Sequence, residues 1–483
     1  MLKRKSKKDM KITCLIYKTL RCVALLTVVL SCHLSAKSQI QPVLSFDKFM
    51  EQVQSDHPVA AAASLQIDRG EALLQTAKGG FDPVLAGNLS RKDFEGKRYY
   101  DLVQGGLKVP TWLGLTFDAG FTENEGVFLN PENNTPQTGL VHAGVKLSLG
   151  RGMFIDERRA ELKKAQIASS LVQAERDLML NDLMLNAGSA YWKWFAAYHN
   201  EQVFAEATEL AKVRLEGVKQ SAIFGDKPFI DTLEASIQFQ TRTLSWEQAK
   251  LETQNASAEV AIYLWMDGFI PLEIDPNTVP LDLNNPAVIG ADPKIVSELD
   301  TLLARHPEVL KAQFKIDQLD IDRRWKAEQL KPQVDLKYNA LTESLGGVQT
   351  GGFNEQDFTF GVDVKVPIFL RKERGGLQLA KIKIEESQLK LLDKQQSIWL
   401  KARMALNDQS ATARQVEIFE ETVVNYGKLL DGERDLFNSG ESSLFLVNSR
   451  EVGYLQTRVK LIELIAKNQM AGLKASYSIS QMR

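Results

Sequence analysis

Two passages of this chain follow the same plan, and that duplication limits the possible folds more than any other feature. Each passage is a strand that is apolar at every second residue, followed by a charged turn and a long helical run. The passages occupy residues 141–169 and 358–387. Upstream of them, a spacing of 249 residues separates the members of two proline pairs, Pro58 with Pro307 and Pro83 with Pro332. A constant spacing over such a stretch indicates internal duplication, so we expect one architecture built twice.

The duplication divides the chain into four segments. Residues 1–38 are predicted to form a signal peptide, and residues 39–267 a first repeat of helix, strands and long helical hairpin. A proline-rich linker follows at residues 268–293, and residues 294–483 repeat the plan with a β-hairpin. We therefore expect a mainly α fold with β, in which internally duplicated long α-helical hairpins are joined to β-hairpins.

The N-terminal segment has the features of a secretory signal. A long basic stretch precedes the apolar residues 23–30, which are too few to span a bilayer, since spanning takes about 20 residues. Ala36 and Ser38 favour cleavage after Ser38. Cys32 ends a sequence that resembles a bacterial lipobox, and its lipidation is the alternative. All three cysteines lie in this segment, so we expect no disulfide in the remaining chain.

Charge and hydropathy argue against two other classes, nucleic-acid-binding proteins and proteins with transmembrane helices. Residues 39–483 contain 60 acidic and 50 basic residues, and so acidic a protein is a poor candidate for binding nucleic acid. The same residues contain no apolar run long enough for a transmembrane helix. If the chain enters a membrane, it must do so as a closed β-barrel, because only helices and closed barrels satisfy every backbone polar group in lipid.

The strands are predicted to show water on one face and lipid on the other. Val362, Val364 and Val366 fall on one face and are predicted to meet lipid. The polar residues predicted to face a lumen are Asp335, Lys337, Asn339, Asp363 and Lys365. A soluble antiparallel sheet with one wet face is the alternative. The signal segment and the duplication favour the membrane.

One chain supplies too few strands to close a barrel. The two repeats give four core strands, and 32 additional residues in the first repeat either add two strands or form an external loop. A barrel needs about eight strands to enclose any space, so several chains must contribute. Three chains would give about 12 core strands, enough for a water-filled lumen.

Each β region leads into a very long helical hairpin. Residues 156–223 and 374–438 contain no proline, and each run would extend about 100 Å as a helix. The runs end at glycine turns, at Gly225 and Gly440, and a second helix returns from each turn. Pro228 suits the first turn of the first returning helix.

The order of these elements along the chain resembles that of the bacterial outer membrane efflux protein family, the TolC-like channels. The doubled order of helix, strands and hairpin carries the resemblance, together with the helix-tip sequences GESSL at residues 440–444 and FIDTL at residues 229–233. The resemblance implies a homotrimer in which an α-helical periplasmic barrel continues an outer-membrane β-barrel. It also implies a periplasmic adaptor protein and an inner-membrane transporter as partners, with outer-membrane lipid around the barrel.

The resemblance directs attention to acidic residues near the helix tips. Asp231 and Glu234 share a helix face one turn apart, and in TolC-like channels the acids after this glycine line the periplasmic entrance. Threefold symmetry would turn each acid into a carboxylate ring, which favours cations. Asp226 and Glu441 are further candidates, whereas the second repeat is neutral at the positions that match Asp231 and Glu234. The alternative is ordinary solvated helix surface.

No catalytic, cofactor or metal site emerges from the sequence. The histidines, at positions 33, 57, 142, 199 and 306, have no partners at ligand spacing. His57 and His306 each precede a proline, which indicates a role at a helix start. Ser442 and Ser443 lack a histidine or acid in a nucleophile pattern, so we do not expect an enzyme.

On this resemblance we expect a passive export channel, the exit duct of a tripartite efflux or type I secretion system. The alternative is a periplasmic coiled-coil scaffold or adaptor without a membrane barrel, whose helices should carry a regular seven-residue apolar pattern. The loose apolar spacing of the long helices argues against that alternative. The exported substrate is open, because selection in such systems lies largely with the pump.

Overall fold

The computed structural model describes residues 42–284, 293–343 and 353–480. The signal segment, with the candidate lipidation residue Cys32, lies outside the described residues. So do part of the proline-rich linker and most of the glycine-rich loop between the last two strands.

The first repeat contains helices, then four strands, then two long helices. In chain order these are α1 (Phe46–Asp56), α2 (Pro58–Lys78), β1 (Val84–Phe94), β2 (Lys97–Pro110), β3 (Leu115–Glu125), β4 (Leu140–Gly150), α3 (Glu157–Ile223) and α4 (Phe229–Ala261). A small hairpin follows, made of β5 (Trp265–Met266) and β6 (Ile270–Pro271). The second repeat contains α5 (Pro293–Ala304), α6 (Pro307–Glu328), β7 (Gln333–Glu343), β8 (Phe358–Lys365), α7 (Arg371–Asn438) and α8 (Leu444–Ser478).

The single helix expected at the start of each repeat is wrong, because each is two helices that meet at a His-Pro pair. The proline holds the preceding histidine in an extended conformation, with ψ 133° at His57 and 132° at His306. The Nδ1 atom of His57 accepts a hydrogen bond from the Val59 amide at 3.1 Å, and that of His306 accepts one from the Glu308 amide at 3.2 Å. The predicted helix-start role of both histidines is confirmed.

The strands of both repeats form one antiparallel sheet in the order β1-β2-β3-β4-β7-β8. The additional residues of the first repeat therefore join the sheet rather than form an external loop. Because β4 pairs with β7 over eleven residues, from Leu140 with Glu343 to Gly150 with Gln333, the two repeats share one continuous β surface.

The helical hairpins extend from the same side of this sheet. The 67 residues of α3 and the 68 residues of α7 each span about 100 Å. Helix α7 begins at Arg371, three residues before the predicted run. Pro228 precedes α4 as its cap instead of lying in its first turn, because its ψ of 146° is extended. In the described ranges, every helix lacks the length of apolar sequence that crossing a bilayer requires.

The largest core lies near the middle of α3, where helices from both repeats meet. Tyr191, Trp194 and Phe195 are at most 1% exposed and pack with Phe49 of α1. Burial of each such ring contributes about 2 kcal/mol. The Tyr191 hydroxyl donates to the Leu44 carbonyl at 2.8 Å and accepts from the Leu281 amide at 3.1 Å, which fastens the segment after β6 onto α3.

Candidate functional site

The outer face of the sheet is apolar from one edge to the other. Directly paired residues on neighbouring strands share a face. One such row crosses all six strands, through Leu85, Leu107, Ala119, Ala143, Ala340 and Phe358. Leu85 is 81% exposed and Phe358 is 50% exposed, so this chain alone leaves the row uncovered. A continuous apolar surface of this kind requires lipid or another protein against it.

The inner face carries charges that are paired across the strands. The Lys146 ammonium lies 2.9 Å from the Asp335 carboxylate, and the Lys337 ammonium lies 2.9 Å from that of Asp363. The Ser148 hydroxyl donates to Asp335 at 2.6 Å. A cavity of about 930 Å³ lies against this face where the sheet meets the helices. The inner face is therefore polar and wettable but locally neutral.

The helix tips are built by the same turn in both repeats. After α3, Gly225 has φ +80° and the Asp226 amide donates to the Ser221 carbonyl at 3.0 Å. After α7, Gly440 has φ +80° and the Glu441 amide donates to the Leu436 carbonyl at 2.9 Å. Apart from the adjoining backbone, no described residue comes within 4 Å of the place where a Cβ would lie at either glycine. The left-handed conformation, rather than crowding, therefore favours glycine here.

The structure separates the four candidate acids. Asp226 and Glu441 are exposed, one on each tip, while Asp231 and Glu234 are half-buried on α4. Among the described residues, only Glu234 of the four hydrogen-bonds another side chain, through its Oε1 atom to the Asn448 amide at 2.8 Å. The part of the chain that the structure describes holds no group of three or more His, Cys, Asp and Glu that could bind a metal ion.

Glu234 belongs to a buried polar network that the sequence did not reveal. Arg214 of α3 donates from Nη1 to the Asn448 Oδ1 atom at 2.9 Å and from Nη2 to the Glu451 carboxylate. Asn448 and Glu451 of α8 are 4% exposed. We call Arg214, Glu234, Asn448 and Glu451 the inter-hairpin cluster, because it joins the helical hairpins of the two repeats.

A second arginine lies beside this cluster without being fully bonded. Arg242 of α4 is 8% exposed, and its Nε atom has no hydrogen-bond partner within the described residues. Burial lowers the pKa of its guanidinium, the Glu451 carboxylate opposes that effect, and Arg214 adds to it. A buried charge costs several kcal/mol unless it is paired, so both arginines depend on the Glu451 carboxylate.

The tips also expose large apolar side chains. On the first tip Phe224 is 76% exposed and Phe229 is 80% exposed, and on the second tip Phe445 is 67% exposed. The two tips touch, because the Lys227 ammonium lies 3.8 Å from the ring centroid of Phe437. Such side chains at the far end of a hairpin form a surface that can bind a partner.

Residues 299–471 match the outer membrane efflux protein family. The chain carries an outer membrane efflux protein domain. The chain is also similar to the probable outer membrane lipoprotein SilC of Salmonella typhimurium, at 21% identity over 70% of this chain and 75% of SilC. The resemblance inferred from the sequence and the location in the outer membrane are confirmed.

Solved structures show the same fold over nearly the whole chain. The outer-membrane channel OprN superposes with a TM-score of 0.67 at 15% identity, covering 90% of this chain and 89% of OprN. The Neisseria gonorrhoeae MtrE channel gives 0.64 at 12%, with 90% and 88% covered, and the Campylobacter jejuni CmeC channel gives 0.62 at 14%, with 90% and 86% covered. The predicted fold of duplicated helical hairpins with β-hairpins is confirmed.

Proposed function

We propose that this protein is the passive exit duct of a tripartite efflux or type I secretion system, and that it acts as a homotrimer. Three copies would enclose one water-filled path through the outer membrane and periplasm. The energy for transport would come from an inner-membrane transporter, and this chain would form the wall of the path.

The observation that carries this proposal is the two-faced sheet joined to two long hairpins. Its outer face is apolar along the row from Leu85 to Phe358, and its inner face is polar and charge-paired. That arrangement lets polar cargo pass without contact with lipid. A periplasmic scaffold without a membrane barrel is not favoured, because an aqueous setting would leave that apolar face exposed.

The exposed apolar residues of the tips support docking to a periplasmic adaptor protein. Ile223 and Ile230 are 74% and 70% exposed beside Phe224 and Phe229. These residues lie at the end of the molecule farthest from the sheet, where a partner from the inner membrane would arrive. An adaptor that presents its own apolar tip would bury them.

The same end supplies the proposed entrance gate. Asp231 and Glu234 of three copies would ring the opening and favour cations. The hydrogen bond from Asn448 to Glu234 would hold α4 against α8 and so keep the entrance narrow. In this proposal, Gly225 and Gly440 shape the tips, while Asp226 and Glu441 add exposed negative charge around them.

N-terminal processing is a separate proposal. We favour cleavage after Ser38, with lipidation of Cys32 as the alternative. Mass spectrometry of the mature protein distinguishes them, because cleavage gives a chain that begins at Gln39 and lipidation adds a diacylglyceryl group to Cys32.

The proposed function is tested by purifying the protein from outer membranes in detergent and inserting it into planar bilayers. We expect a detergent-requiring trimer that conducts ions. Loss of conductance on unfolding is the control for leakage through lipid. A protein that stays soluble without detergent, or that inserts without conducting in any condition, contradicts the proposal.

A further inference from the structure

Both edges of the six-stranded sheet are open. β1 and β8 are the terminal strands of the order β1-β2-β3-β4-β7-β8, so among the described residues each pairs with one neighbour only. In lipid, every unpaired backbone group costs several kcal/mol, and a wall with an open edge is not stable there. Each edge of one copy therefore needs a strand from elsewhere.

We propose that β8 of one copy pairs antiparallel with β1 of the next copy, and that three copies close an 18-stranded barrel. The proposal rests on the homotrimer of the proposed function and adds which edges meet and how many strands form the wall. It differs from the roughly 12 strands that the four core strands alone would give.

Chain direction favours this pairing. β1 leaves the helical end of the molecule directly after α2, whereas β8 returns to that end and leads into α7. When copies related by a rotation stand side by side, these two edges run in opposite directions. They can therefore form the antiparallel ladder that joins the other strands of the sheet.

The faces of the two edges also match. Leu85 and Leu89 of β1 lie on the outer face and are 81% and 71% exposed. Phe360 and Val364 of β8 lie on the same face and are 61% and 60% exposed. Antiparallel pairing of the edges would continue the apolar band without interruption and would leave Asn88 on the wet inner face.

The alternative wall of 12 strands would exclude β1 and β2 and would require β8 to pair with β3 of the next copy. That edge of β3 is already occupied, because β2 and β3 pair continuously from Asp101 with Glu125 to Pro110 with Thr116. The lengths also suit a wall, since β1 has 11 residues and β8 has 8, close to the 9–11 of a tilted membrane strand.

An 18-stranded barrel has a lumen of the size found in porins. Strands lie about 4.8 Å apart, so 18 strands give a circumference half again as large as 12. Barrels of 16–18 strands leave an aqueous channel.

Cysteine cross-linking in the full-length protein tests the pairing, since the chain has no cysteine after Cys32. Asn88→Cys is combined in separate variants with Thr359→Cys, Gly361→Cys or Asp363→Cys. All four residues lie on the inner face of the sheet. The three combinations test three registers of β1 against β8. Within one chain β1 and β8 lie five strand spacings apart, about 24 Å, too far for a disulfide. Any cross-link between them therefore joins two copies.

After oxidation with copper phenanthroline, at least one register should give a reducible ladder that ends at the trimer. Gln104→Cys with Thr122→Cys is the control, because these residues pair directly within a chain and should cross-link without changing the number of chains. A trimer that cross-links instead between Thr122→Cys and Thr359→Cys, or in no β1–β8 register, overturns the 18-stranded wall but keeps the proposed function. A ladder that continues to tetramers overturns both, as does the absence of any oligomer.

Discussion

The two repeats have the same order of helices but differ in the sheet and at the helix tips. The first repeat supplies four strands to the sheet and the second supplies two. At the tips, the first repeat has Asp231 and Glu234, whereas the matching residues of the second are Leu446 and Ser449. The turns between the helices are nevertheless alike, with φ +80° at both Gly225 and Gly440.

This difference shows which features the duplicated plan requires. Reversal of a long helix needs a residue in the left-handed region, so both repeats use the same turn. Charge near the tips does not need to come from both repeats, because the inter-hairpin cluster brings side chains of the two repeats together. Arg214 and Glu234 come from the first hairpin, and Asn448 and Glu451 come from the second. The helix tips of the two repeats are thus equivalent in backbone and complementary in their side chains.

The largest effect should come from breaking this complementarity. Arg214→Ala removes the arginine that hydrogen-bonds the buried Glu451 carboxylate, which we expect to cost about 3 kcal/mol. Amides in the last turns of α3 and the first turns of α8 should then exchange with solvent about 100-fold faster in hydrogen-exchange experiments.

Arg434→Ala is the matched control, because the Arg434–Asp431 pair is exposed, at 37% and 74%, and should contribute less than about 1 kcal/mol. Equal exchange rates in the Arg214 variant and the wild-type protein would show that the cluster does not hold the hairpins together.

The equivalence of the two turns predicts equal losses. Gly225→Ala and Gly440→Ala should each cost about 1 kcal/mol, because each forces a side chain into a left-handed conformation. Gly217→Ala, inside α3 and also in open space, should instead stabilise the helix by up to about 1 kcal/mol. Local exchange rates at each tip measure these effects. A loss at only one tip would mean that the repeats are not equivalent in backbone.

The paired histidine caps predict a pH dependence shared by both repeats. Burial lowers the pKa of His57 and His306 from the ordinary value of 6.5, so the folded protein favours their neutral form. Their contribution to stability is therefore complete above pH 6.5 and is lost as the pH falls from there through the lowered values.

At pH 7.5, His57→Ala should cost about 1 kcal/mol in thermal or chemical unfolding, and at pH 5 the cost should be smaller. His57→Asn retains a capping side chain that does not titrate, so it should remove the share of the pH dependence that His57 contributes. The idea fails if the alanine variant loses the same stability at both pH values.

The smallest effect should come from the acids found in the first repeat alone. Asp231→Ala combined with Glu234→Ala should reduce the preference for cations in planar bilayers at 0.1 M salt. The reduction should disappear at 1 M salt, where charges are screened within about 3 Å.

Glu247→Ala with Glu252→Ala removes the same charge from exposed positions farther along α4 and should leave selectivity unchanged. Unaltered conductance and cation preference in the tip variant would contradict the acidic ring.

Local patterns predicted most of this fold. Alternation along residues 358–366 and the proline-free runs before Gly225 and Gly440 are signals that neighbouring residues carry by themselves, and the strands and hairpins lie where these signals placed them. Alternation does not identify a strand's partner, so the sequence left the additional residues of the first repeat open. The sequence also predicted a single helix at the start of each repeat. The structure has two helices there, which are separated at His57 in the first repeat and at His306 in the second.

The site was harder to predict for a related reason. Gly225 and Gly440 signal their turns locally. By contrast, Arg214 and Glu451 are 237 positions apart and meet only because α3 packs against α8. Both look like ordinary charges on a solvated helix. No spacing in the sequence indicates that one faces the other.

The number of chains in the protein extracted from the outer membrane tests the central claim most directly. Native mass spectrometry from detergent should give three chains in one complex, because a single six-stranded sheet cannot shelter its edges and its apolar face. A monodisperse single chain that remains soluble after the detergent is removed would contradict the account.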